Sequence, residues 1–206
     1  MLSSFRTSYF VLCTSYFACL ACSAPGSDPS ATRAAQAAQA AVAAEQAKAR
    51  EAAAAAREVE RLAALWEYAD VPAGKGRQRS AVIRSTNDVD TGGDGPKSVR
   101  LVFRDHPAWG RSSYLVLQSG DFNCSGGCTV KVIVDESASK SMAARRPTTD
   151  EAIAMFINDF RSLWRLTSSA KRLSVEFPVK AGGTRTATFD VAGLDRSKMP
   201  GWDAGK

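Results

Sequence analysis

An alanine-rich stretch between Ala31 and Leu65 separates two parts of the chain with different composition. Alanine occupies 18 of these 35 positions, with Gln, Glu, Lys and Arg between them and no Gly or Pro. These are the strongest helix-forming residues, so the stretch predicts one long helix, about 52 Å in length if it is continuous. Its few large apolar residues form no heptad repeat. We therefore interpret residues 31–65 as a solvated spacer helix, with a weak alanine-seam oligomer (a weak coiled coil) or a partner helix as the alternative.

Residues 1–21 have the features of a signal peptide. One positive charge, Arg6, precedes an apolar run from Tyr9 to Ala21. The run is too short to span a bilayer as a helix, which takes roughly 20 residues, but it is typical of a secretory signal. The small residues before Cys22 resemble the lipobox of bacterial lipoproteins, although Cys19 stands where that motif usually has leucine.

The lipobox resemblance implies that Cys22 is acylated and becomes the N-terminus of the mature protein. Several acyl chains would hold the protein at a membrane, at about 0.8 kcal/mol per buried methylene. Ser23 occupies the position where aspartate often marks inner-membrane retention, so we expect the periplasmic face of the outer membrane. Residues 22–30 are then a lipidated tether. Cleavage after Ala24 without lipidation and a retained anchor are the alternatives.

Residues 66–206 are predicted to form one β-rich globular domain. Apolar and polar residues alternate in several short runs, as in half-buried strands. The predicted strands are Ser80 to Thr86, Val99 to Phe103, Tyr114 to Gln118, Val130 to Val134, Leu173 to Phe177 and Ala187 to Val191.

One helix is predicted to interrupt these strands. Thr148 and Glu151 have the spacing of a capping box. The apolar residues that follow recur at helical spacing and predict a stripe that packs on a sheet; they are Ile153, Phe156, Ile157, Phe160, Leu163 and Trp164. The predicted fold class is α+β, an antiparallel sheet or sandwich with one packed helix, preceded by the long alanine-rich helix.

Cys124 and Cys128 lie between two predicted strands, with three residues between them. In an oxidising compartment we expect them to form a disulfide that staples a hairpin-like turn, stabilising the fold by about 2 kcal/mol. A redox pair usually has two intervening residues. A zinc site needs four ligands, and the only histidine, His106, leaves one missing. We expect neither a metal nor a cofactor.

Seven short motifs follow one another along the domain: Trp66–Tyr68, Ser85–Asn87, Leu101–Arg104, Gly120–Cys124, Val132–Asp135, Phe160–Leu166 and Phe189–Leu194. In this order they resemble a group of uncharacterised proteobacterial envelope lipoproteins, also carried by some phages and prophages. More distantly, the domain is similar to small periplasmic proteins associated with type VI secretion. The resemblance covers Trp66 to about Leu194 and implies a β-rich accessory domain without catalytic residues. It also implies a strand near Ile153 to Ile157, in conflict with the capping-box helix.

Two motifs suggest chemistry but are incomplete. His106 follows Asp105, as a general base acting on a nearby serine (Ser112, Ser113 or Ser125) would, but no Gly-x-Ser-x-Gly motif accompanies it. The carboxylates Asp88, Asp90 and Asp94 are spaced like calcium ligands, but the loop departs from the EF-hand pattern. We therefore predict no catalytic and no metal-binding residues.

The charge of the domain is modestly positive, with 21 Lys and Arg against 16 Asp and Glu. Basic residues cluster at Arg77, Arg79 and Arg84 and at Lys140, Arg145 and Arg146. Such charge favours anionic lipids or cell-wall polymers, whereas an ordinary solvated surface is the simpler interpretation. The nearly balanced charge of the spacer helix argues against nucleic acid. The segment from Met199 to Trp202 is predicted either to pack on the domain or to form a short linear contact.

Taken together, these features predict a lipid-anchored periplasmic accessory protein that is not an enzyme. Its domain would bind or scaffold an envelope protein partner, and its only membrane contact would be the N-terminal lipid. The alternatives are a phage-related superinfection-exclusion or immunity lipoprotein, and a cell-wall hydrolase that uses His106.

Overall fold

The computed structural model describes residues 29–147 and 153–203. The predicted signal peptide, Cys22 and most of the tether therefore lie outside the described residues. The chain divides into two compact units, Met1–Ala49 and Arg50–Lys206. The long helix α1 covers Pro29–Ala63 and has no buried residue, so it starts two residues before the predicted spacer and ends two residues before its predicted end. Neither described α-helix is long and apolar enough to cross a membrane.

The fold is α+β, as predicted, and its strands form one nine-stranded antiparallel sheet rather than a sandwich of two sheets. The strands are β1 (Trp66–Ala73), β2 (Gly76–Val89), β3 (Lys97–His106), β4 (Gly110–Val116), β5 (Cys128–Val134), β6 (Ala138–Arg145), β7 (Ala154–Ile157), β8 (Arg172–Pro178) and β9 (Thr184–Asp190). Their order across the sheet is β1-β2-β3-β4-β7-β6-β5-β8-β9. The first four strands form a meander, and β7 returns to pair with β4.

The alternating strand patterns predict the core face correctly. Leu101 and Phe103 of β3, Val132 of β5 and Val175 of β8 are fully buried, and Phe189 of β9 completes the same layer. Successive side chains of a strand point to opposite faces, so the even-numbered positions of β3, among them Arg100 and Arg104, lie on the outer face. The six predicted strands all overlap strands of the sheet, whereas β1, β6 and β7 have no counterpart among them.

The sheet curls until β9 lies beside the second half of β2. The register between β2 and β3 shifts between Arg84 and Asp88. At this bulge the Ser85 hydroxyl accepts a hydrogen bond from the backbone amide of Val99. Asn87 bridges the gap to β9 with its side chain, because its amide donates to the carbonyl of Thr186 and its oxygen accepts from the backbone amide of Thr188. Hydrogen bonds from the Asn87 side chain thus take the place of backbone hydrogen bonds between β2 and β9.

The predicted packed helix is confirmed, but its predicted start is wrong, because it begins at Phe160 and not before Ile153. Helix α2 covers Phe160–Ser169, and its N-cap is Asp159, whose carboxylate accepts a hydrogen bond from the backbone amide of Ser162. Ala154–Ile157 is the short strand β7, and residues 148–152 of the proposed capping box lie outside the described residues. A short apolar run of this length fits both the helical period and the strand period. Residues 154–157 form a strand because they pair with β4 and β6.

The disulfide between Cys124 and Cys128 is present, with a Cα–Cα distance of 4.9 Å. It does not staple a hairpin, because β4 and β5 are not neighbours in the sheet. The disulfide instead lies in the connection that crosses from the meander to the other half of the sheet. Cys124 is buried in the core beside this crossing.

The segment from Met199 to Trp202 packs on the domain. Met199 and Trp202 are both buried, and the Trp202 ring meets the rings of Phe103 and Trp164 with centroids 5.3 and 4.9 Å away. Two short 3-10 helices, Arg196–Lys198 and Pro200–Trp202, carry the chain across this aromatic cluster.

Candidate functional site

The outer face of four neighbouring strands carries an unusual row of cations and aromatic rings. The pairing registers place Val102 of β3 opposite Tyr114 of β4, Tyr114 opposite Phe156 of β7, and Phe156 opposite Arg145 of β6. Because directly opposite residues in antiparallel strands are close neighbours, one row of side chains crosses four strands. The row brings together residues that are distant in the sequence, such as positions 102 and 156.

Arginines and aromatic rings alternate along this surface. The Arg104 guanidinium lies 5.3 Å from the centroid of Trp109 and 5.4 Å from that of Tyr114. The Tyr114 and Phe156 rings are 4.9 Å apart, and Arg145 lies 5.9 Å from the Phe156 ring. Cations at such distances from an aromatic face are attracted by its quadrupole. We call this surface the arginine–aromatic face; its residues are Arg100, Arg104, Trp109, Tyr114, Arg145 and Phe156.

Trp109 stands at the tip of the β3–β4 hairpin, at one end of the face. Its ring stacks on His106 with centroids 3.9 Å apart and an interplanar angle of 13°. The Nδ1 atom of His106 accepts hydrogen bonds from the backbone amides of Ala108 and Trp109, at 3.1 and 3.3 Å. These bonds fix the turn, so Trp109 is held in place although 70% of its surface is exposed. A large apolar ring that is both exposed and held in place is typical of binding surfaces.

The face is electrostatically uncompensated. Within residues 29–147 and 153–203, Arg100, Arg104 and Arg145 make no ion pair with a carboxylate, whereas Arg84 pairs with Glu67 and Arg146 with Asp121. The Nε atoms of Arg100 and Arg104 are also buried without a hydrogen-bond partner among the described residues. Buried donors of this kind are costly unless something accepts their hydrogen bonds. The face therefore offers cationic donors to an anionic ligand.

The Tyr114 hydroxyl is influenced by this positive charge. Burial raises the pKa of Tyr114, while the nearby Arg104 and Arg100 act in the opposite direction. Burial is the larger effect, so the phenol stays protonated at neutral pH and can donate a hydrogen bond. Tyr114 therefore adds a neutral hydrogen-bond donor to the centre of the row.

The residues proposed for hydrolysis do not come together. His106 accepts its hydrogen bonds from backbone amides, and no serine hydroxyl is among its hydrogen-bond partners in the described part of the chain. Ser113 is fully buried on the core side of β4. Ser125 lies in the disulfide loop, outside the β3–β4 hairpin. This geometry gives a serine–histidine mechanism no support.

The proposed calcium loop also lacks a converging ligand set. No group of three or more His, Cys, Asp or Glu side chains suited to a metal ion occurs among the described residues. The Asp90 carboxylate instead accepts a hydrogen bond from the backbone amide of Gly92, and the Arg185 side chain donates to the Asp90 carbonyl. The loop is thus organised around its own turn and the edge of β9.

Most residues of the two predicted basic clusters form ion pairs with carboxylates, unlike the arginines of the arginine–aromatic face. Arg77 and Arg79 both pair with Asp70 in the β1–β2 hairpin. Lys140 pairs with Asp159, at 3.1 Å. Only Arg145 of these clusters contributes to the arginine–aromatic face.

Trp109, Tyr114 and Phe156 were not predicted as functional residues. Arg100 and Arg104 were not predicted as functional residues either, although Arg104 belongs to the Leu101–Arg104 motif of the family resemblance. The exposed tryptophan in a His-Pro-Ala-Trp-Gly turn was the one local signal that could have pointed to the face. The rest depends on the pairing of β4 with β7.

Comparison with family models, with curated proteins and with solved structures found no match to this chain. The geometry of the chain itself is therefore the basis for a functional hypothesis. Within that geometry, the arginine–aromatic face combines three arginines that pair with no described carboxylate and an exposed tryptophan.

Proposed function

We propose that this protein is a lipid-anchored accessory protein of the bacterial envelope, held at the periplasmic face of the outer membrane through Cys22. Its domain is a binding module, not an enzyme, and it engages an envelope component through the arginine–aromatic face. The observation that carries this proposal is the row of arginines between aromatic rings that pair with no carboxylate of the described residues, with Arg104 at 5.3 and 5.4 Å from Trp109 and Tyr114.

The arrangement of the face favours binding over catalysis. Arg and Trp dominate binding energy in interfaces because they combine a large contact area with directed hydrogen bonds. The ring of Trp109 is fixed by the His106 stack and by the turn, so little side-chain entropy is lost on binding. In contrast, general acid–base catalysis requires a titrating group that can reach a substrate proton, and the bonds of His106 hold its turn together.

The long helix supports the anchoring part of the proposal. A 35-residue helix spans about 52 Å, and α1 has no buried residue. Between an acylated Cys22 and the domain, such a helix would serve as a spacer. The C-terminal end of α1 lies against Gly193 of the domain, where any Cβ would collide with the backbone of Leu62. This close contact is consistent with a helix whose C-terminal end is held by the domain. Arg61, in the last turn of α1, also lies 3.9 Å from Asp190.

Two measurements test the proposal. First, intact mass and membrane fractionation of the wild type should show acylated protein in the outer membrane, and Cys22→Ala should make the full chain soluble. Second, the soluble Cys22→Ala chain should still bind isolated envelopes saturably, because its domain retains the face. Adding Arg104→Gln should weaken this binding about tenfold, since a hydrogen bond to a charged group contributes about 1.5–3 kcal/mol.

Arg77→Gln is the matched control for the second measurement. Arg77 is exposed and already paired with Asp70, so its loss should leave envelope binding unchanged. A wild-type protein without acyl mass would overturn the anchor. Equal binding by Arg104→Gln and Arg77→Gln chains would overturn the role of the face.

A further inference from the structure

The face has the chemistry of a site for an acidic sugar polymer. An exposed, fixed tryptophan offers a flat apolar platform, and the C–H face of a pyranose ring is the kind of ligand surface that stacks on it. Trp109 meets this description, with 70% of its surface exposed and one neighbour, His106, stacked on it. Tyr114 provides a second ring with a donor hydroxyl, five residues from Trp109 along β4.

The arginines are spaced singly and do not converge on one point. Arg100 and Arg104 lie four residues apart on β3, which corresponds to about 14 Å along a strand. Arg145 lies three strands away on β6, also about 14 Å from β3. Donors that converge on one point would suit a phosphate group. Separated guanidinium groups suit single carboxylates, because each guanidinium can bind one carboxylate through two hydrogen bonds.

From these observations we propose that the arginine–aromatic face binds a glycan strand that bears carboxylate groups, the chemistry of the bacterial cell wall. Sugar rings stack on Trp109, and Arg100, Arg104 and Arg145 bind carboxylates carried by successive units. The length of the row, across four strands, fits an extended chain rather than one sugar ring. This assignment rests on the proposed function, because it names the envelope component that the face would engage.

The test uses the full chain with Cys22→Ala, so that no acyl chain contributes, and protein-free peptidoglycan sacculi as the probe. We expect saturable co-sedimentation with sacculi. Trp109→Ala and Arg104→Gln should each weaken it about tenfold. Arg104→Lys should recover only part of the loss, because an ammonium lacks the planar fork of guanidinium.

Two controls separate binding from folding. Val71→Ala is the matched control for Trp109→Ala, because Val71 is also an exposed apolar residue but lies on the β1–β2 hairpin. Arg77→Gln serves in the same way for Arg104→Gln. Both controls should bind sacculi as the parent chain does, and the unfolding midpoints of all five variants should agree with that of the parent.

Three further probes identify other ligands. Chitin carries sugar rings without carboxylates, poly-glutamate carries carboxylates without sugar rings, and phosphatidylglycerol vesicles carry phosphate at a lipid surface. We expect weak or no binding to each. Equal binding to poly-glutamate would replace the glycan by an acidic protein segment, and equal binding to the vesicles would replace it by a membrane surface. Either result overturns the proposal.

The outcome also distinguishes this inference from the proposed function. If isolated envelopes bind through the face but stripped sacculi do not, the glycan assignment fails and the binding role stands. If neither binds, or if Trp109→Ala and Arg104→Gln have no effect on either, both fail.

Discussion

The side-chain oxygen of Asn87 accepts a hydrogen bond from the backbone amide of Thr188 at 2.8 Å, and this contact closes the curled sheet. The same side chain donates to the carbonyl of Thr186 at 2.9 Å. One amide side chain thus imitates a peptide group and bonds the edge of β9, at the bulge where β2 has left its regular register.

Asn87→Ala should destabilise the domain by about 1 kcal/mol, because two partly exposed hydrogen bonds are lost and the edge of β9 is opened. Urea unfolding measures the change, and hydrogen exchange at the Thr188 amide should accelerate. The matched control is Asn123→Ala, at an exposed position of the disulfide loop, which should change the free energy of unfolding by less than about 0.5 kcal/mol. Equal losses in the two variants would contradict the closing role of Asn87.

Glu136→Gly should stabilise the domain by about 0.5–1 kcal/mol. The turn between β5 and β6 places Asp135 and Glu136 at φ values of 46° and 63°, a region that favours Gly in such hairpins. Asp135 is left unchanged in this test, because its carboxylate accepts hydrogen bonds from the backbone amides of Lys171 and Arg172. Glu136→Gln retains the strain and loses the exposed ion pair with Arg172. If thermal unfolding finds Glu136→Gly less stable than Glu136→Gln, the strain argument is wrong.

Asp159 makes the stability of the domain depend on pH. The hydrogen bond from the Ser162 side chain is the main cause that lowers the pKa of Asp159 to about 2 from its usual value of 3.8, with the Ser162 backbone and Lys140 assisting against burial. A lowered carboxyl pKa contributes stability that is present above pH 3.8 and is lost as the pH falls through 2. Unfolding measured between pH 2 and 5 should show this loss.

The two substitutions of Asp159 separate the cap from the charge. Asp159→Asn can still cap α2 but carries no charge, so the part of the pH dependence that comes from Asp159 should disappear while most of the stability at pH 7 remains. Asp159→Ala should lose about 1 kcal/mol at pH 7. A wild-type acid profile in Asp159→Asn would assign the pH dependence to another carboxylate.

Trp202→Ala should cost about 3 kcal/mol, because it empties an aromatic site between Phe103 and Trp164. Trp109→Ala removes the same atoms from an exposed position and should change the unfolding free energy by less than about 0.5 kcal/mol. Comparable unfolding midpoints for both variants would show that the Met199–Trp202 segment contributes little to the core.

Local patterns in the sequence predict the core-facing strands well. They fail where the secondary structure of a segment depends on which strands pair with it. Val99, Leu101 and Phe103 alternate with Arg100, Val102 and Arg104, and all three are buried as expected. The run from Ile153 to Trp164 fits both a helix and a strand followed by a helix, so period alone could not resolve it. Strand β6 was missed because Ala, Ser and Lys have low strand propensity.

The candidate site was less predictable than the fold. Arg104 and Trp109 are close in sequence, but Phe156 and Arg145 reach them only because β7 inserts between β4 and β6. Neither the composition nor any short motif encodes that insertion. The disulfide pair could be predicted from its cysteines, whereas its place in a crossover connection required the strand order.

The central claim is that the unpaired arginines of the outer face bind an anionic envelope component. The most direct measurement is the envelope affinity of the soluble Cys22→Ala chain, compared between its Arg104→Gln and Arg77→Gln derivatives. We predict that Arg104→Gln weakens binding about tenfold, whereas Arg77→Gln leaves it unchanged. Equal affinities of the two derivatives, with both correctly folded, would contradict the claim.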